Sequence, residues 1–174
     1  MKGLAPLACL CLLSSAVYAY EPEPVVYVGA SYSHLEYSES SVDADLSSVG
    51  VTFGALINEN FALELRYAQG FDDETVMNIA TLELDHMVGG YLRAGMPVTE
   101  RLYPYLVVGR SKVEMKASGA GLSISGKKSD ISYGLGLNIS WPESPVIVNM
   151  EYTQFVDKDY FEIAGLTIGL QLEY

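Results

Sequence analysis

The stretch Ile131-Ser132-Tyr133-Gly134-Leu135-Gly136-Leu137-Asn138-Ile139-Ser140-Trp141 decides the fold. Large apolar side chains stand at every odd position, with Ser, Gly or Asn between them. Successive side chains of a strand point to opposite faces, so this pattern makes one face greasy and the other small and polar. Gly165–Tyr174 repeats the pattern: Leu166, Ile168, Leu170, Leu172 and Tyr174 alternate with Gly165, Thr167, Gly169, Gln171 and Glu173. In a third stretch Phe61, Leu63, Leu65 and Tyr67 oppose Ala62, Glu64, Arg66 and Ala68. From Val25 to Tyr174 no segment holds a helical period. Eight alternating segments are read: Val25–Tyr37, Asp45–Ile57, Phe61–Gly70, Ala80–Met96, Tyr103–Ser118, Ser129–Trp141, Val146–Val156 and Tyr160–Tyr174.

The connections alternate too. Asn58-Glu59-Asn60, Pro97–Arg101 and Pro142–Pro145 are short and built from turn-forming residues. Ser38–Ala44, Phe71–Ile79, Gly119–Lys128 and Asp157–Asp159 are mostly longer and richer in charge or in Gly and Ser. Side-chain size then separates a soluble barrel from a membrane one. An eight-stranded barrel has an interior just wide enough for its side chains. The Leu, Ile, Val, Tyr, Phe and Trp of eight strands overfill it. Turned outward they meet lipid, and the small polar set fills the lumen. The expected fold is all-β, an eight-stranded antiparallel up-and-down transmembrane β-barrel, with strands longer than the roughly 9–11 residues that cross a bilayer when tilted.

Composition agrees. The 174 residues are 49% hydrophobic and 18% charged, which excludes a disordered chain. Mean hydropathy is +0.19, yet the body of the chain has no long apolar run. The formal charge of −12 excludes the basic face that a nucleic-acid partner requires.

Residues 1–19 read as a secretory signal peptide: Lys2, then an apolar Leu4–Leu13 too short to span a bilayer, then Val17-Tyr18-Ala19 before a cleavage point at Tyr20. Residues 20–174 are then the barrel. Both cysteines, Cys9 and Cys11, lie in the leader, so the barrel domain offers no thiol chemistry, disulfide or Cys-bound metal.

The alternation places Glu64, Arg66, Glu83, Asp85, Arg93, Arg110, Lys112, Glu114 and Glu151 on the lumen face as a charge network. An Arg or Lys facing lipid at mid-depth costs about 2–4 kcal/mol, whereas opposite charges inside can pair. Phe61, Tyr103, Trp141 and Tyr174 are expected to ring the periplasmic side, and Tyr37, Tyr67, Tyr133, Tyr152 and Tyr160 the outer side. His86 is expected to face outward among Leu84, Val88 and Leu92.

Thr167-x-Gly169-x-x-Leu172-x-Tyr174 resembles the terminal assembly signal of bacterial outer-membrane barrels. With Gly29, Tyr103-Pro104-Tyr105 followed by Gly109, and Tyr133-Gly134-Leu135-Gly136, the region from Val25 to Tyr174 is similar to small outer-membrane barrels of the OmpA/OmpX and opacity-type "porin family" kinds. The resemblance implies a Gram-negative outer-membrane location, contact with membrane lipid and lipopolysaccharide, insertion by the barrel-assembly machinery, and a monomer. It also implies a chain that stops at the barrel, without the periplasmic peptidoglycan-binding domain of larger OmpA-type proteins.

Enzymes of this architecture use His with Ser. Lipid A deacylase barrels pair a His and a Ser two apart with a Glu; the palmitoyl transferase barrels use His, Asp and Ser. Here neither His34 nor His86 precedes a Ser by two, and neither opens a His-Glu-x-x-His. Ser31 or Ser33 with His34 and Glu36 is the best local constellation, but adjacent strand residues face opposite ways. No cofactor or metal is expected. The expectation is a non-catalytic barrel that serves envelope integrity or surface interaction through its outer loops. A small pore or apolar-solute path along Arg110, Lys112, Glu83 and Asp85 is one alternative, and a lipid A-modifying enzyme is the other. The outer loops carry acidic residues such as Asp72, Asp73 and Glu74, a solvated face or a loose divalent-cation site beside lipopolysaccharide phosphates.

Overall fold

The computed structural model describes residues 25–39, 42–76, 80–119, 122–158 and 161–174. The expected signal peptide at residues 1–19 and Tyr160 lie outside them. The strands are β1 (Val26–Glu39), β2 (Val42–Leu56), β3 (Phe61–Gly70), β4 (Asp73–Val76), β5 (Ala80–Gly95), β6 (Leu102–Gly119), β7 (Leu122–Ser140), β8 (Val146–Lys158) and β9 (Phe161–Glu173). All pairings are antiparallel. The order is β3-β2-β1-β9-β8-β7-β6-β5, and β3 pairs back onto β5 from Phe61 against Ala94 to Gln69 against His86. That last pairing closes a barrel of eight staves. β4 follows β3 after two residues and also pairs with β5, so the third stave is one path in two pieces.

The expected short turns are present at one end. Asn58 Oδ1 accepts hydrogen bonds from the backbone N–H of Asn60 and of Phe61, both at 2.9 Å. Thr99 Oγ1 accepts from Arg101 and Leu102, and Ser144 Oγ accepts from Val146. The opposite end differs from expectation. Much of what reads as long loops is strand: Glu39 pairs with Val42, Val76 with Ala80, Gly119 with Leu122 and Lys158 with Phe161. Polar, Ser-rich and Gly-rich sequence masks these extensions, because above a membrane neither strand face needs to be apolar.

At this end two of the ladders also stop short. β2 pairs with β3 only as far as Ser48 against Gly70, and β7 with β8 only as far as Tyr133 against Gln154. Beyond those points the ladder pairing stops at the two seams, leaving β2-β1-β9-β8 paired on one side of the mouth and β4-β5-β6-β7 on the other. Between them lies the apolar core: Leu35, Leu46, Phe155, Val156, Phe161 and Ile163 from the first side, and Leu84, Met87 and Val113 from the second. Two register shifts feed it, between Leu84 and His86 on β5 and between Gln154 and Val156 on β8. A bulge adds one unpaired residue and so reverses which face the following residues occupy. Leu84 therefore turns inward at 1% exposure, not outward as simple alternation predicts, and Phe155 and Val156 are both buried.

Below that core the lumen is filled by tyrosines set over glycines. Tyr27 faces Gly54 and Tyr105 faces Gly136 across neighbouring strands. A Cβ on Gly54 would stand 2.0 Å from the Tyr27 ring, and one on Gly136 would stand 2.3 Å from the Tyr105 ring. The absent side chains are what admit the rings. Outside, the wall is apolar: Leu65 is 67% exposed, Leu106 65%, Ile131 64% and Leu135 61%. With Val51, Phe53, Leu63, Val108, Leu166 and Leu170 they form a continuous belt far larger than a soluble monomer exposes. Phe61, Trp141 and Tyr174 are exposed near its lower margin, and Tyr67, Tyr133 and Tyr152 higher up, whereas Tyr37 and Tyr103 turn into the structure.

Replacing Gly54 or Gly136 by Val should lower barrel stability by about 1–3 kcal/mol through overpacking against the buried ring. Gly126→Val, where nothing stands within 4 Å of a new Cβ, should be close to neutral. Urea unfolding in lipid vesicles measures all three.

Candidate functional site

The middle of the lumen carries a compact layer of charge. β3 brings Glu64 and Arg66 inward two residues apart, β8 brings Glu151, and β5 brings Arg93. Arg66 donates to Glu64 through Nε at 2.8 Å and to Glu151 through an η nitrogen at 2.9 Å. Arg93 stands 3.1 Å from Glu64, and the Tyr27 hydroxyl donates to the same carboxylate. Thr153 Oγ1 donates to Glu151 at 2.6 Å. Both guanidiniums also lie against aromatic rings. Arg66 lies 4.5 Å from the Tyr91 centroid; Arg93 lies 4.8 Å from Tyr27 and 5.1 Å from Tyr105. Two cations and two anions balance, with the two carboxylate side chains only 2% exposed. Burial at this depth is sustained because every charge is paired and hydrogen-bonded. The cavity beside this layer, lined by Ser31, Ser33, Thr52, Arg66, Asn149, Glu151 and Thr167 among others, holds about 40 Å³, room on the scale of a water molecule or two.

The other five charges assigned to the lumen are elsewhere. Glu83, Arg110 and Lys112 are exposed, and Asp85 and Glu114 sit on the outer side of the wall. On β6 the odd residues Tyr105, Val107, Ser111 and Val113 face inward while Leu106 and Val108 are exposed. Apolar residues occur on both faces of that strand, so alternation alone does not orient it; the room over Gly136 that Tyr105 fills does. On β5 the bulge at Asp85 breaks the count. Arg110, Lys112 and Glu114 avoid lipid by height rather than by facing inward, since they follow Leu106 and Val108 toward the outer rim.

There the structure assembles a second cluster that spacing did not disclose. The bulge puts the consecutive residues Asp85 and His86 together outside the wall. His86 lies opposite Gln69 on β3 and Glu114 on β6, and Glu114 lies opposite Lys127 on β7. His86 Nδ1 is 2.9 Å from Asp85 Oδ2, and His86 Nε2 is 3.5 Å from Glu114 Oε2. Lys116 Nζ donates to Asp85 Oδ1, and Lys127 Nζ reaches Glu114 Oε2 at 2.9 Å. The His86 ring also stacks on Tyr67, centroids 6.3 Å apart. This cluster stands just above the apolar belt, where Val88, Val108 and Ile131 give way to charge. Hydrogen bonds from Lys116 and then His86 hold the Asp85 carboxyl below its ordinary value, and Asp85 raises Lys116 above its own.

The catalytic constellation weighed on β1 does not assemble. Ser33 points inward, bonded to Thr167 Oγ1 at 2.8 Å, while His34 points out, 4.0 Å from Asp45. Of the C-terminal residues, Thr167 and Gly169 face the lumen and Tyr174 is exposed, its N–H bonded to Val26 O where β9 meets β1.

The sequence matches the family described as the outer membrane protein β-barrel domain over residues 5–173. The chain belongs to that family. No curated protein matches it in sequence. Among solved structures, it is similar to the attachment invasion locus protein Ail of Yersinia pestis, with a TM-score of 0.68 at 15% identity over 88% of this chain and 100% of that one. Neisserial surface protein A gives 0.63 at 18% identity over 86% and 97%. OprG of Pseudomonas aeruginosa gives 0.55 at 12% identity over 87% and 95%. These likenesses establish the fold. The protein is thus an outer-membrane β-barrel.

Arg66→Met should destabilise the barrel by about 3–5 kcal/mol, because Glu64 and Glu151 keep their burial and lose a shared partner. Adding Glu151→Gln to that variant should recover part of the loss. Equilibrium unfolding in vesicles reads both.

Proposed function

We propose that this barrel is non-catalytic and works at the cell surface, in envelope integrity and in contacts made by the strands that rise above the membrane. The observation that carries the reading is the packed apolar core in the mouth of the barrel. That core closes the lumen from above, and the Arg–Glu layer fills its middle. What remains for a partner is the outer surface. There Lys116, Lys127, Ile124 and the acidic Glu83 lie on β5, β6 and β7, beyond the apolar belt, with Ile124 71% exposed. Surface interaction is favoured over transport because, among the described residues, the apolar core and the Arg–Glu layer fill the lumen. It is favoured over lipid modification because the serine and histidine of β1 lie on opposite faces. The structural likeness to Ail, which has been crystallised with the heparin analogue sucrose octasulfate, fits a surface-contact role without specifying the partner. We also propose that residues 1–19 are removed on export, that the segment from Thr167 to Tyr174 directs assembly by the barrel-assembly machinery, and that the barrel is a monomer contacting lipopolysaccharide at its outer rim.

Deleting the gene should reduce binding of intact cells to host-cell or matrix-coated surfaces and leave the lipid A mass spectrum unchanged. The purified barrel should give no defined single-channel step in planar bilayers. A reproducible conductance step would establish the transport reading, and a changed lipid A mass would establish the enzyme.

A further inference from the structure

The cluster on the outer wall of β5, β6 and β7 sets one imidazole between two carboxylates. Asp85 divides its two oxygens: Oδ1 takes Lys116 and Oδ2 takes His86 Nδ1. The bulge, the lysine and the stack on Tyr67 together fix the imidazole so that Nε2 faces Glu114. The gap there is 3.5 Å, too long for a good hydrogen bond. It is close to the separation of two ligand atoms on one tetrahedral zinc ion, roughly 3.3 Å for bonds of about 2.0–2.1 Å. A carboxylate on the far nitrogen of a ligating histidine is the usual way such a ring is oriented and its ligating nitrogen made more basic. Asp85, His86 and Glu114 present their donor atoms within 4.8 Å of one another.

We propose that His86 Nε2 and Glu114, with Asp85 orienting the ring, form a binding site for a divalent transition-metal ion such as Zn²⁺ at the outer rim of the barrel. Imidazole with carboxylate suits Zn²⁺ better than Ca²⁺ or Mg²⁺, which prefer all-oxygen sets. Water completes the coordination, because the site opens to solvent. Lys127 is the competitor. Its ammonium sits on Glu114 Oε2, the atom the metal takes, and binding releases it to solvent. The site is therefore of modest affinity, and occupancy frees a lysine on the surface hairpin. Lys116 stays on the other oxygen of Asp85 and is not displaced.

The test is calorimetric titration of ZnCl2 into the folded full-length barrel in detergent micelles, with heat-modifiable gel migration confirming that each variant is folded. The four side chains lie on the outer wall, so their replacement leaves the lumen packing intact. One site per barrel is expected. His86→Ala and Glu114→Gln should each weaken binding tenfold or more, Asp85→Asn should weaken it about 10–100-fold, and Lys127→Ala should tighten it several-fold. No binding by the wild type, or wild-type affinity in either His86→Ala or Glu114→Gln, overturns the site. Wild-type affinity in Asp85→Asn overturns the orienting role of that carboxylate.

Discussion

Lipid offers the backbone no hydrogen-bond partner, and the rest of the structure depends on that. Every N–H and C=O at membrane depth must be satisfied within the sheet, so a sheet that crosses must close. Here closure is the pairing of β3 with β5, nine residue pairs from Phe61 against Ala94 to Gln69 against His86. With eight staves the lumen is narrow, and its contents follow. Small residues must line most of it, rings fit only over glycines, and any charge must bring its counter-charge. Tyr27 over Gly54, Tyr105 over Gly136 and the Arg66–Glu151–Glu64–Arg93 layer are consequences of one narrow cylinder.

Above the membrane the constraint lifts, and the architecture changes at that height. Backbone groups can bond to water, so the ladder no longer needs to be continuous, and it stops between β2 and β3 and between β7 and β8. The two sides of the mouth meet over an apolar core. The bulges on β5 and β8 lie at this transition. Each turns extra apolar side chains into the core. The one at Asp85 also turns a carboxylate and an imidazole out, so the residues that close the lumen and the cluster on the outer wall share one local irregularity.

Charge is distributed by the same physics. Inside the lumen Arg66 and Arg93 are neutralised by Glu64 and Glu151. On the outer wall the lysines and acids are segregated by height, not by face. Leu106 and Val108 meet lipid, and Arg110, Lys112 and Glu114, on the same side of the same strand, stand above it. Much of the negative excess of the chain therefore lies at exposed strand ends and turns, among them Glu36, Asp72, Glu83, Glu143 and Glu162.

Alternation in segments such as Ile131–Trp141 and Gly165–Tyr174 was enough to determine the class of the protein: an even set of strands, greasy side outward, with tight turns at Asn58–Asn60, Pro97–Arg101 and Pro142–Pro145. It also placed Glu64, Arg66, Arg93 and Glu151 on one face, because β3, the lower part of β5, and β8 below its bulge run without irregularity through the lipid, where the two faces differ most in chemistry. Only the tertiary structure decided the rest. A bulge carries no sequence mark, yet one inserted residue at Asp85 turns Leu84 in and leaves His86 beside Glu114. On β6 both faces are apolar at the level of Tyr105–Val108, and the free volume over Gly136 chose between them. The strand ends around 119–128 were legible only as a polar, Gly-rich stretch, because neither face there has to be apolar, and it is the pairing of β6 with β7 that holds them in register.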